Sequence, residues 1–141
     1  MKIETEYTRI FHYCLYWLHH KEDAEDMTQE TFLRYLQHPE YESHARQYLY
    51  TIARNLCIDK LRKIQPEALE EEYYSSSGFA IPERVALKMA MDELPDKDRE
   101  IMILRYVNGE KIGLIASMFG VSRFVMSRRI RKITQILKEK L

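Results

Sequence analysis

The sequence predicts an all-α protein made of two small helical domains, three helices then four, joined by a flexible acidic linker. Apolar residues recur with a helical period along most of the 141 residues, and no segment sustains the alternation of a strand. One stretch breaks that pattern: QPEALEEEYYSSSGFAIPE (65–83) has two prolines, a serine triplet, a glycine and a run of glutamates, the composition of a linker. Charge is divided as well. A net charge of zero conceals −5 over residues 1–42, +4 over 43–65, −6 over 66–100 and +7 over 101–141. Two basic surfaces on an otherwise acidic chain suit a polyanion held at two places, while another face meets a protein.

The first helix is expected over about residues 3–20, rich in Tyr7, Phe11, Tyr13, Leu15, Tyr16, Trp17 and Leu18. The second runs to about residue 37, with Asp23 as its N-cap. HPEYESH (38–44) is a loop, since Pro39 disfavours helix at His38. A third helix, ARQYLYTIARNLCIDKLRKI, follows over 45–64. Beyond the linker, Pro82 suits the first turn of a helix over 82–93. LPDKDREIMILRYVNG supplies another over 96–107, stopped by Asn108-Gly109. Two more are expected over about 111–118 and 122–140, so the domains are 1–65 and 82–141 with a tether at 66–81.

Several function classes drop out. MKIETEYTRIFHY has no basic flank before an apolar stretch, so it is not a secretory signal. No apolar run approaches the roughly 20 residues of a membrane span. Cys14 and Cys57 are isolated and read as reduced thiols in a cytoplasm. His19 and His20 lack partners at ligand spacing and read as surface histidines, not a metal site. No triad, phosphate loop or metal cluster argues for an enzyme, and no cofactor is called for.

Three stretches carry the chemistry. In DAEDMTQETFLRYL (23–36), Ala24, Met27, Thr31, Phe32, Tyr35 and Leu36 form a core side. Asp26, Gln29, Glu30 and Leu33, at i, i+3, i+4 and i+7, fall together opposite it. A plain solvated face would not need the leucine. In QYLYTIARNLCIDKLRK (47–63), Tyr48 and Tyr50 mix with Arg54, Asn55, Lys60, Arg62 and Lys63. Aromatic faces stack on unpaired bases and cations neutralise phosphate, though tyrosines in a helix more often complete a core. In KIGLIASMFGVSRFVMSRRIRKITQIL, Ile112, Ile115, Ala116 and Phe119 share a face, Gly120 turns the chain and Ser122 caps the next helix. There Met126, Ile130, Ile133 and Leu137 form a narrow apolar stripe opposite Phe124, Ser127, Arg128, Arg131 and Lys132, with Arg123 at the helix start. That is the spacing of a helix-turn-helix, whose second helix enters a major groove. The stripe is too narrow for a membrane-surface helix to insert deeply.

EDAEDMTQETFLRYL, YLYTIARNLCIDKLR and LPDKDREIMILRYVNGEKIGLIASMFGVSRFVMSRRI, in that order, resemble a sigma-70 family RNA polymerase sigma factor. The two-domain form is similar to the extracytoplasmic-function (ECF) group, and the likeness covers almost the whole chain. The resemblance implies that the N-terminal domain is region 2 and the C-terminal one region 4. It implies that Asp26, Gln29, Glu30 and Leu33 dock on the clamp helices of the polymerase β′ subunit, with region 4 on the β flap. Tyr41, Tyr48, Arg54, Asn55, Lys60 and Arg62 would bind and open the promoter −10 element. Arg123, Phe124, Ser127, Arg128, Arg131 and Lys132 would hold the −35 duplex. It further implies a monomer when free and, as often in this group, an anti-sigma partner. The sequence departs from the family at Tyr48 (usually tryptophan), Leu114 (usually glutamate), and Phe124 and Met126 (usually glycine and valine). Without the resemblance, a stand-alone dimeric helix-turn-helix regulator or a protein-binding adaptor would fit the same helices.

Overall fold

The structure, a computed structural model, describes residues 3–63 and 82–141. The tether expected over 66–81 lies outside them, as does the side chain of Tyr41. Every regular element among the described residues is a helix, and these residues belong to two compact units.

The N-terminal unit holds α1 (Ile3–Leu18), α2 (Lys21–Leu36), a 3-10 turn (Pro39–His44) and α3 (Ala45–Lys63), with the three helices packed on one another. Their core faces follow the 3.6-residue period. Ile10, Tyr13, Cys14, Trp17 and Leu18 come from α1, Ala24, Phe32 and Tyr35 from α2, and Leu49, Tyr50, Ala53 and Cys57 from α3. Tyr13 meets Tyr50 at 5.0 Å between ring centroids, and Tyr7 stacks on Phe32 at 5.5 Å. Burying side chains of this size stabilises by about 1.5–3 kcal/mol each. Thr28 and Thr31 also face inward, which costs little because each hydroxyl donates to a carbonyl of its own helix at 2.6 Å. Buried Glu6 accepts from Arg46 at 2.9 and 3.3 Å, tying α1 to the start of α3.

Three expectations for this unit need correction. His19 and His20 are not a pair of surface histidines. His19 is buried in a left-handed conformation (φ 57°) that ends α1, and the ring Nδ1 of His20 accepts from the backbone N–H of Asp23 at 3.3 Å. His20, not Asp23, is therefore the N-cap of α2, which starts earlier than Asp23 would allow. Leu36 is the third correction: it is 66% exposed, not part of the core. On a helical wheel it sits only about 20° from Gln29, at the border of the two faces.

The C-terminal unit holds α4 (Pro82–Asp92), α5 (Asp96–Met102), α6 (Ile112–Phe119) and α7 (Arg123–Lys140). Helix α5 continues as a π-helical turn over Ile103–Val107, closed by Asn108 N–H donating to the Ile103 carbonyl at 3.0 Å. Ile101, Met102, Ile103 and Leu104 are consecutive and all buried, so the middle of this helix is enclosed on every side, while Lys97 and Tyr106 at its ends are exposed. The predicted stripe of Met126, Ile130, Ile133 and Leu137 is buried, and α7 packs against α4, α5 and α6. Gly120 (φ 67°, ψ 32°) ends α6: its N–H donates to the Ser117 carbonyl and that of Val121 to Ala116. This paired closure needs the left-handed conformation that glycine adopts without strain. Ser122 Oγ then accepts from Val125 N–H at 3.2 Å and starts α7, as expected of a helix-turn-helix.

Candidate functional site

Three exposed surfaces carry the sequence-predicted residues. On α2, Asp26, Gln29 and Leu33 are exposed and Glu30 is partly so, all opposite the buried face. Leu33 is 58% exposed, and Leu36 extends the same side. The carboxylate of Glu30 accepts from Arg34 Nε at 3.0 Å, an i,i+4 pair in the favourable order. Two leucines in water among carboxylates add nothing to the stability of their own unit. Sequence reasoning missed Leu36, although its i+3 spacing from Leu33 could have placed it there.

On α3 the structure divides what the sequence grouped. Tyr50 is buried against Tyr13, whereas Tyr48 is exposed. Tyr48, Asn55 and Arg62 repeat every seven residues and form one exposed line. Arg54 lies off that line and donates to Asn55 Oδ1 at 3.3 Å. Lys60 lies on the other flank, where its ammonium is 3.6 Å from Asp23 of α2. Both are half-buried.

On α7, Arg123, Phe124, Arg128, Arg131 and Lys132 are exposed and Ser127 is half-buried. Phe124 is 67% exposed, with the guanidinium carbon of Arg128 5.7 Å from its ring centroid. Arg129 is different: it donates twice to Asp98 of α5, at 2.7 and 2.9 Å, and so anchors the helix. Arg123 lies over Gly113 of α6, where a β-carbon would come within 3.1 Å of its Nε. A larger residue there would need the exposed Arg123 side chain to shift by a few tenths of an ångström. Leu114, where the family usually has glutamate, is half-buried.

Among the described residues no cluster of His, Cys, Asp and Glu side chains could hold a metal, and Cys14 and Cys57 are buried free thiols. Also among them, no helix is long and apolar enough to cross a membrane.

The comparisons with known proteins agree with this geometry. The family model of sigma-70 region 2 matches residues 3–66, and that of sigma-70 region 4 matches residues 84–132. The ECF RNA polymerase sigma factor SigM of Bacillus subtilis is 31% identical over 109 residues, which cover 70% of this chain and 67% of that protein. The chain belongs to the ECF sigma factors. SigW of the same organism is 25% identical over 155 residues, covering 94% of this sigma factor and 83% of SigW. The fold is shared with the sigma factor RpoE of Bartonella quintana, solved in complex with the anti-sigma factor NepR. That likeness has a TM-score of 0.68 at 18% identity and covers 98% of this chain and 92% of the other. As an ECF sigma factor the protein engages core RNA polymerase and promoter DNA, and belongs to a non-catalytic class.

Proposed function

We propose that the exposed surfaces divide the work of initiation among them. The α2 face, Asp26, Gln29, Glu30 and Leu33 with Leu36 added, docks on the β′ clamp helices of the polymerase. Its apolar centre and charged rim are the anatomy of a small protein–protein hot spot. Tyr48, Asn55 and Arg62 face the −10 element, with Arg54 and Lys60 at the flanks and Tyr41 contributed by the 3-10 turn. There an extruded base would lose a few kcal/mol of stacking and regain part of it on an aromatic face. Helix α7 reads the −35 element as duplex through Arg123, Phe124, Ser127, Arg128, Arg131 and Lys132. The working units are 1–65 and 82–141 with 66–81 as the tether, and the second unit meets the β flap. The chain acts in the cytoplasm as a monomer when free, and an anti-sigma factor is the natural regulator for its class.

The observation that carries this reading is the pair of exposed leucines on α2, set in an acidic field and backed by a complete core. The test is a run-off transcription assay with purified core polymerase and the full chain. Specific initiation that is lost with Asp26→Ala plus Glu30→Ala, while the fold is retained, supports it. Core binding unchanged by that double variant rejects the docking face.

A further inference from the structure

The first turn of α7 carries a feature that a basic helix does not require. Phe124 packs against little of its own unit and leaves most of its ring in water. Arg128, one turn on, lays its guanidinium over that ring at 5.7 Å, and Arg131 borders the same open surface. Neighbouring Arg129 is committed to Asp98 instead. Two adjacent arginines thus have separate tasks, one holding the helix and the other placed over an exposed aromatic.

We propose that Phe124 and Arg128 form one reading unit for a two-base element: guanine, recognised by Arg128, beside thymine, recognised by Phe124. This rests on the reading of α7 as the duplex-binding helix. A cation–π contact needs no hydrogen bond from the guanidinium, so its N–H groups stay available. The ring therefore restricts an otherwise mobile side chain without consuming the donors that would meet O6 and N7 of guanine. Phenylalanine itself offers nothing to phosphate. The apolar group displayed in the major groove is the 5-methyl of thymine, which suits the uncovered edge of the ring. Base pairs are spaced about 3.4 Å apart, so a 5.7 Å separation puts the two contacts within two steps of each other. Phe124 is thus a specificity-determining residue for thymine and a positioning residue for Arg128.

The test uses holoenzyme reconstituted from the full chain and core polymerase, with a duplex library randomised through the upstream promoter block. The expected enriched block pairs guanine with a thymine no more than two positions away. Replacing that thymine by uracil removes only the methyl, and should weaken wild-type binding about fourfold, the worth of one buried methyl group. Phe124→Ala should be indifferent to that replacement and should discriminate guanine from adenine less well, whereas Phe124→Tyr should keep both preferences. Equal sensitivity to uracil in wild type and Phe124→Ala overturns the inference, as does a wild type that ignores the methyl. A library with no enriched block overturns the duplex-reading role of α7 itself. Enrichment of guanine with no linked thymine overturns only the paired reading.

Discussion

Helices α2 and α7 use the same physical device with opposite charge. Each buries one face completely and leaves a large apolar side chain in the middle of a charged outer face: Leu33 among carboxylates on α2, Phe124 among arginines on α7. On the proposed reading the sign of the field selects the class of partner, since a basic helix attracts phosphate and an acidic one is repelled by it. The apolar residue supplies what charge cannot, a contact with one shape. The two units also differ inside. The N-terminal core is aromatic, with Glu6 engaged by Arg46, whereas the C-terminal one buries Lys88, Asp98, Arg99, Glu100 and Glu110. Arg99 pairs with Asp92 at 2.8 Å and Asp98 with Arg129. The C-terminal unit thus buries more ionisable side chains among its described residues than the N-terminal one does.

The largest effect is expected at α2. Leu33→Asp should weaken core polymerase binding by about 2–4 kcal/mol, the range of an interface hot spot, with the melting temperature unchanged because the residue is exposed. Titration of labelled core with the variant measures it. Arg128→Ala or Arg131→Ala should cost about 1–3 kcal/mol on a matched −35 duplex if a base is read. The same loss on a scrambled −35 sequence would assign that arginine to phosphate. Arg129→Ala gives the contrast within α7: it should lower stability by about 1 kcal/mol, as expected for a part-exposed ion pair, and leave sequence preference alone. Thermal melts beside binding curves separate the two.

The smallest and most specific effect concerns Lys88, which is 1% exposed. Burial pushes its ammonium from the ordinary 10.5 down to about 7, with Asp92 opposing and Arg99 adding to the shift. The folded state then holds fewer protons than the unfolded one between about pH 7 and 10.5. Stability gained from this group must rise with pH across that window, and the cost of the buried charge is fully present below it. Lys88→Met should flatten the slope relative to wild type and leave the fold no less stable at pH 6. Denaturant melts at pH 6, 7, 8 and 9 for both proteins provide the comparison.

Much of this was legible in the sequence because helical periodicity reports burial directly. The α7 stripe of Met126, Ile130, Ile133 and Leu137, the Gly120 turn and the Ser122 cap all stand where the spacing put them. So does the open face of α2 from Asp26 to Leu33. What escaped depends on contacts between elements. Leu36 lies on the border of two faces, and only the position of the neighbouring helices decides its side. Tyr48 and Tyr50 look alike in sequence, yet Tyr13 of α1 claims one of them for the core. His20 caps α2 through a ring nitrogen, a role that the usual capping preference assigns to Asp23. Lys88 is buried while its neighbours Leu87 and Met89 are partly exposed, against any hydropathy rule, and the Asp92–Arg99 ion pair lies near enough to act on its charge. The π turn at Ile103–Val107 begins inside the apolar run Ile101–Leu104 and leaves no mark on its periodicity.

The most direct test of two charge-sorted surfaces measures core polymerase affinity side by side for the wild-type chain, Leu33→Asp, and Arg128→Ala combined with Arg131→Ala. The α2 variant should lose most of its affinity while the α7 variant binds core like wild type and fails only on promoter duplex. Equal loss of core binding in both variants, or in neither, would contradict the division between the two helices.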